Sequence, residues 1–329
     1  MRIGITYDLK DDYLKAGFAP EDVAEFDSIQ TIDAIDFALR KLGFETERIG
    51  NIKDVVAYLA GGKRCDAVFN IAEGLYGFCR EAQIPAILDA YRIPYVFSDA
   101  LVLGVALHKG FAKAIVARAG VSTAEYRVVS SVKEIDQLAM RFPLFVKPVG
   151  GGTGMGIDSS SIVYDSIQLH NVVAKIVGKY HQDAIIETYL DGREFTVGIT
   201  GTGDESRPVA TMEILVDKES DMGIYSYKSK QQYERCASYR LADEAARIKC
   251  EQVALGAWKA LGCRDGGRID LKMDTDEHVY FLEVNPLAGL HPIDSDLPIL
   301  ARMVGIGYDQ LIGMIMNSAI KRIAGRTRA

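Results

Sequence analysis

The sequence predicts an α/β chain: an N-terminal unit built on a parallel sheet, then two α+β units. Three observations predict it. The first hundred residues alternate between short apolar runs and segments of helical period. An apolar strand at 144–147 ends in a lysine and runs into a glycine-rich segment. A strand pair within 267–285 carries charged residues on alternate positions. Boundaries are expected at 1–108, 109–194 and 195–329, and a length of 329 residues suits two or three domains at roughly 150 residues each.

Arg2–Tyr7 (RIGITY) reads as a buried strand. Asp27 is expected to cap a helix whose Ile29, Ile32, Ile35, Leu39 and Leu42 recur at helical spacing, with Gly43 ending it. Phe44–Ile49 is the next strand, 52–60 a helix and Ala67–Ile71 a third strand. Helix 81–91 and a short strand Pro94–Phe97 follow, which completes a βαβ pattern. One helical stretch, Leu101–Ala119, leads out of this unit. The middle third carries strand Leu144–Lys147, helix 165–179 and strand Ala184–Glu187. After Glu194 come longer strands (FTVGITG, PVATMEIL), helix 243–261, a hairpin, and a terminal helix near 308–323.

Hydrophobic residues are 48% and charged residues 25%, an ordinary globular composition. The net charge of −7 disfavours nonspecific binding to nucleic acid or to an anionic membrane. No run approaches 18 apolar residues, and the start MRIGITYDLKDD turns acidic too early for a signal peptide, so a cytoplasmic chain is expected. Five scattered cysteines without Cys-x-x-Cys fit reduced thiols better than disulfides or zinc. Any metal is therefore expected to be a hard cation on oxygen ligands.

Lys147-Pro148-Val149-Gly150-Gly151-Gly152-Thr153-Gly154-Met155-Gly156 is the strongest local anomaly. Five glycines in seven residues free the backbone to approach a ligand with its N–H groups exposed, which suits phosphate. Neither the dinucleotide fingerprint nor the P-loop pattern is met. A flexible surface loop is the plain alternative, and Lys147 at the strand end weighs against it.

Residues 267–285 read as two strands around a four-residue turn at Asp274–Glu277, whose acidic residues are expected to do nothing more than turn. That turn would set Arg268 opposite Glu283 and Asp270 opposite Phe281. Ile269, Leu271, Met273, Tyr280, Leu282 and Val284 would then share one face; Arg268, Asp270, Glu283 and Asn285 would cluster on the other. Two carboxylates and an amide call for a cation, and Mg²⁺ is the natural one. An ordinary polar sheet face with an Arg268–Glu283 pair stands as the alternative.

Four segments in this order and spacing, FVKPVGGGTGMG at 145–156, IIETYLDGREFT at 185–196, RID at 268–270 and LEVN at 282–285 followed by Gly289, resemble the ATP-grasp superfamily and within it the D-alanine–D-alanine ligases. The resemblance spans about 300 residues. It implies an ATP-grasp fold with ATP sandwiched between the second and third units. It also implies an ADP-forming carboxylate–amine ligase of peptidoglycan biosynthesis, working through an acyl-phosphate on small amino acids, with family members often dimeric.

By the same resemblance Lys109 and Lys147 contact ATP phosphates, Glu187, Thr188, Tyr189 and Leu190 form the strand facing adenine, and Glu194 holds the ribose. Gly152 and Thr153 lie in the phosphate lid, and Lys228, or else Lys230, belongs to a mobile segment near Tyr225–Tyr233. Asp270, Glu283 and Asn285 would hold two Mg²⁺ or Mn²⁺ ions, and Arg268 would stabilise the acyl-phosphate and tetrahedral intermediate. Glu25 and Ser28 stand near the acid for the first amino acid, and Gly289, Ser295 and Leu297 near the second. The departures fall in substrate regions. Asn70-Ile71-Ala72-Glu73 lacks the family's histidine, Ser229 replaces a tyrosine, and Ser295-Asp296-Leu297 carries an extra residue. They leave open a different amino acid pair, a natural-product amide, or a non-catalytic ATP-binding protein. A Rossmann dehydrogenase is disfavoured because the opening strand lacks the fingerprint.

Overall fold

The computed structural model describes residues 1–152, 154–216 and 237–326. Three sheets organise it. Strands β1 (Arg2–Thr6), β2 (Glu45–Gly50) and β3 (Ala67–Asn70) form a parallel sheet in the order β2-β1-β3, as the βαβ pattern predicts. The expected strand Pro94–Phe97 is reduced to a single bridge of Tyr95 to Val68.

Helix α1 (Lys10–Lys15) was not expected; it precedes α2 (Ile29–Lys41). The cap of α2 is Ser28, whose hydroxyl accepts from the Thr31 N–H, and not Asp27. The Asp27 carbonyl instead accepts from the Lys10 N–H at 2.9 Å, which ties α1 to the entrance of α2. Ile32, Ile35 and Leu39 of α2 are fully buried, worth roughly 1.5–3 kcal/mol each. Helix α3 (Ile52–Ala60) opens with an Asn51–Asp54 capping box. The segment expected as helix 81–91 begins as one 3₁₀ turn, Arg80–Ala82, and continues as α4 (Gln83–Ala90).

The stretch expected as one helix over Leu101–Ala119 is two: α5 (Ala100–Leu107) and α6 (Lys109–Arg118), bent by 107°. His108 makes the break. Its backbone is extended, and its Nδ1 accepts from the Phe111 N–H at 3.1 Å, capping α6. The bend places Lys109 at the first position of a helix that starts against the glycine-rich run, with its N–H on the Val149 carbonyl at 3.1 Å.

Strands β4 (Tyr126–Val129), β5 (Leu144–Pro148), β6 (Ile162–Val163) and β7 (Ala184–Thr188) form an antiparallel sheet in the order β4-β7-β5-β6. Helix α7 (Ser166–Lys175) covers it, and its last expected turn is a π-turn over Ile176–Tyr180. Strands β8 (Glu194–Thr200), β9 (Arg207–Val216), β10 (Ala237–Leu241), β11 (Gly266–Met273) and β12 (Val279–Asn285) form the third sheet, in the order β10-β9-β8-β11-β12. Helix α8 (Glu244–Leu261) packs on it through Trp258, Ala254 and Cys250. Helix α9 (Asp296–Met303) and the terminal α10 (Tyr308–Arg326) turn back to the first unit. Leu311, Ile312 and Ile315 share one core with Ile3, Ile32 and Ile35.

Among the described residues no single helix is long and apolar enough to cross a membrane, and the described cysteines are all unpaired.

Candidate active site

The second and third sheets face each other across a cleft. One wall is β5 and β7 with the glycine-rich run; the other is β8, β11 and β12. Lys147 and Asp270 line the same cleft. So do Lys109, Gly152, Glu187, Thr188, Tyr189, Leu190, Glu194, Arg268 and Glu283.

The register of β11 and β12 corrects the expected hairpin. Asp270 lies directly opposite Glu283, and Arg268 opposite Asn285. Two features shift it. The turn holds five residues, because the Asp274 N–H bonds the His278 carbonyl and the Asp274 carboxylate accepts from the Asp276 and His278 N–H groups, both at 2.9 Å. Asp274 therefore shapes the turn instead of merely occupying it. A bulge then follows between Asp270 and Leu271 on one strand, opposite Phe281, Leu282 and Glu283 on the other. Alternation is interrupted there. Phe281 and Val284 enter the core with Ile269, Leu271, Met273 and Val279, while Leu282 and Glu283 both face the cleft. Tyr280 and Leu282 are thus not on the apolar face.

Around Asp270 the expected cluster forms. Arg268 donates to its two oxygens at 2.6 and 2.5 Å, Thr196 Oγ1 donates at 2.8 Å and the Asn285 amide at 3.1 Å. Arg268 also reaches Asp296 at 3.4 Å. Burial works against the Arg268 charge, but Asp270, Asp296 and Glu283 outweigh it and raise its pKa. Glu283 pairs with Lys109 at 3.4 Å. Among the described residues no three His, Cys, Asp or Glu side chains group to hold a metal. Two carboxylates and an amide are the available set, which fits Mg²⁺: it takes one or two carboxylates and keeps positions for phosphates and water.

On the opposite wall Lys109 Nζ donates to the Gly151 carbonyl at 2.7 Å, so its side chain and its backbone both hold the glycine-rich run. Gly151, with φ +90°, turns the chain where a side chain would strain. Glu187 is flanked by two buried lysines, Lys147 at 2.9 Å and Lys113 at 2.6 Å. Burial opposes the Glu187 charge, yet the two lysines hold its pKa down at about 2. Both of its oxygens are engaged by lysines, leaving Thr188, Tyr189 and Leu190 as the strand's surface to the cleft. Glu194 pairs with Lys272 at 2.9 Å at the cleft edge.

A smaller cavity adjoins the Lys109–Glu283 end, lined by Glu25, Glu73, Glu81, Gly152, Asn285 and Leu287 among others. Arg80 bonds Glu25 at 2.5 Å and lies 3.9 Å from Glu81. Burial, followed by the neighbouring carboxylates, pushes Glu73 well up; burial also carries Glu81 to about 8 against the pull of Arg80. A third cavity opens beyond Arg268, lined by Glu25, Ser28, Gly289, Ser295 and Asp296. Ser295 Oγ accepts from the His291 N–H at 2.9 Å. The Leu297 side chain is fully buried in the core and faces no cavity. Thr153, Lys228, Ser229 and Lys230 lie outside the described residues, as does all of Tyr225–Tyr233.

Sequence reasoning missed Lys113, Arg80, Glu81 and Thr196 at this site. Lys113 had a signal: it falls one helical turn after Lys109, on the same face.

Residues 114–317 match the family model described as D-ala D-ala ligase C-terminus. The chain belongs to the D-alanine–D-alanine ligase family. Relatives in the family include a D-alanine–D-alanine ligase of Aquifex aeolicus, 30% identical over 88% of this chain and 94% of its own. One of Acidiphilium cryptum is 32% identical over 87% and 91%. In fold the chain matches the ATP complex of the Bacillus anthracis ligase, with a TM-score of 0.75, 24% identity and 99% of each chain covered. The ATP-grasp architecture expected from the sequence is therefore the fold of this chain.

Proposed function

We propose that this chain joins D-alanine to D-alanine with consumption of ATP, forming ADP, phosphate and an amide through an acyl-phosphate. The observation that carries the proposal is the meeting of Lys109 and Lys147 with Asp270 and Glu283 across one cleft, with Asn285 bonded to Asp270 from the adjoining cavity, in a chain of this family. We place the units near 1–108, 109–194 and 195–329, with the nucleotide between the last two.

Lys109 and Lys147 neutralise the triphosphate, and the backbone of the glycine-rich run covers it. Thr188, Tyr189 and Leu190 face adenine and Glu194 the ribose. Asp270, Glu283 and Asn285 would hold Mg²⁺, which neutralises the charge developing on the transferred phosphoryl group. The first amino acid occupies the cavity beside Glu25, where its ammonium meets a carboxylate and its own carboxylate points at the γ-phosphate. The amine of the second arrives from the cavity of Ser28, Gly289 and Ser295. Arg268 lines both that cavity and the nucleotide cleft, placed to stabilise the oxyanion as the amine attacks. An enclosed site protects the acyl-phosphate from water.

Product mass spectrometry after incubation with ATP, Mg²⁺ and a mixture of D- and L-amino acids tests the proposal. D-alanyl-D-alanine, with ADP formed only when D-alanine is present, is expected. ADP formation driven solely by other amino acids overturns the substrate pair. One observation favours that second reading: the segment that lacks the family's histidine brings Glu73 to Glu25 and Glu81 around Arg80. An amino acid panel scored for ADP separates the two.

A further inference from the structure

Lys113 has no role in the chemistry proposed above, yet its side chain is 0% exposed. A methionine would fill the space without the cost of burying a charge. The charge is therefore retained for its partners, and these lie on both walls of the nucleotide cleft.

On one wall Lys113 pairs with Glu187 Oε1 at 2.6 Å, and Glu187 Oε2 lies 2.9 Å from Lys147. On the other wall Lys113 Nζ donates to the Phe281 carbonyl at 3.1 Å. Phe281 is the residue at which β12 enters its bulge, two positions before Glu283. Between the walls Nζ also donates to Thr123 Oγ1 at 2.8 Å, and Thr123 Oγ1 itself reaches the Phe281 carbonyl at 3.2 Å.

We propose that Lys113 is a positioning residue that clamps the two walls at their phosphate end alone, holding Lys147 through Glu187 and Glu283 through the Phe281 carbonyl. The inference deepens the proposed function and rests on the cleft taking ATP. It explains why Glu187 has two lysines. When the Lys147 ammonium turns to a phosphate, Glu187 would be left as a buried carboxylate with its neutralising charge shared away. Lys113, which does not line the cleft, keeps that carboxylate ionised and in place, so Lys147 stays aimed at the cleft.

The test is calorimetric titration of the full chain and its Lys113→Met variant with Mg²⁺-ATP and with adenosine, which has no phosphates. The expected result is at least tenfold weaker binding of ATP with adenosine unchanged within twofold. The Mg²⁺ concentration for half-maximal ATP binding is expected to rise at least threefold. A cleft loosened along its whole length would weaken both ligands alike, so equal losses overturn a role confined to the phosphate end, and unchanged ATP binding overturns the proposal too. An unchanged Mg²⁺ requirement overturns the arm to Glu283. Should Lys113→Met not fold by circular dichroism, Lys113→Gln is judged by the same ATP and adenosine criterion; failure of both to fold makes Lys113 a folding residue and overturns the clamp. If the parent chain binds no ATP, the proposed function itself falls, which is a different outcome from a parent that binds and a variant that binds equally well.

Discussion

Asp270 and Glu283 face each other directly across the β11–β12 ladder, and Leu282 is the extra residue that lets Glu283 share the face of Asp270. Strict alternation from Phe281 would have sent Glu283 into the core. The pair is the acidic end of the cleft, and several expected outcomes follow from its geometry.

Asp270→Asn and Glu283→Gln each remove one carboxylate from the set proposed for Mg²⁺. ADP formation with D-alanine should fall by about 10–100-fold or more. Melting temperature should stay within a few degrees of the parent. Coupled ADP assays and circular dichroism check this, and near-parental turnover in either variant removes the metal assignment.

Deleting Leu282 removes the bulge but leaves Glu283 next to Phe281, where alternation still turns it to the cleft beside Asp270. Mg²⁺-ATP binding by calorimetry is expected to survive both this deletion and Leu282→Ala. Loss of binding in the deletion variant would show that Glu283 depends on the bulge itself and not on alternation alone.

Gly152 lies against the substrate-side carboxylate. A Cβ there would sit 2.3 Å from Glu25 Oε1. Gly152→Ala should displace Glu25 from Arg80, at a cost of about 1–3 kcal/mol. The KM for the amino acid should rise about tenfold, since 1.4 kcal/mol is a factor of ten. The KM for ATP should change less. Steady-state kinetics with each substrate varied decides it, and a larger effect on ATP would place Glu25 elsewhere in the reaction.

Glu187 supplies a pH dependence. Its pKa is lowered from 4.5 to about 2 by Lys113 and Lys147 in spite of burial. A carboxylate with a depressed folded pKa contributes stability above its unfolded value, and that contribution is lost as pH falls through the folded one. The melting temperature of the parent should exceed that of Glu187→Gln by a constant gap from pH 7 to 5. The gap should close as pH falls from 4.5 towards 2. A gap unchanged down to pH 3 would mean that the lysines are not what stabilises the carboxylate.

Local patterns made much of this legible. The period of Ile32, Ile35 and Leu39 marks α2, and the glycine density after Lys147 marks a backbone open to a ligand. The alternation of Arg268, Asp270 and Lys272 marks the polar face of β11. Features that depend on one residue's backbone were not legible. Propensity runs unbroken through Leu107, His108 and Lys109, so the bend at His108 is invisible to periodicity, and so is the bulge at Leu282. Arg80, Glu81 and Lys113 escaped for another reason. Each looks like an ordinary surface charge until the fold shows what it is buried against.

The shared core of Leu311, Ile312 and Ile315 with Ile3, Ile32 and Ile35 has a consequence for biosynthesis. The parallel sheet and α2 leave the ribosome well before α10, which completes this core and is translated about three hundred residues after β1. Until α10 arrives, the part of the sheet's oily side that α2 does not cover stays bare, which marks it as the stretch a chaperone would grip.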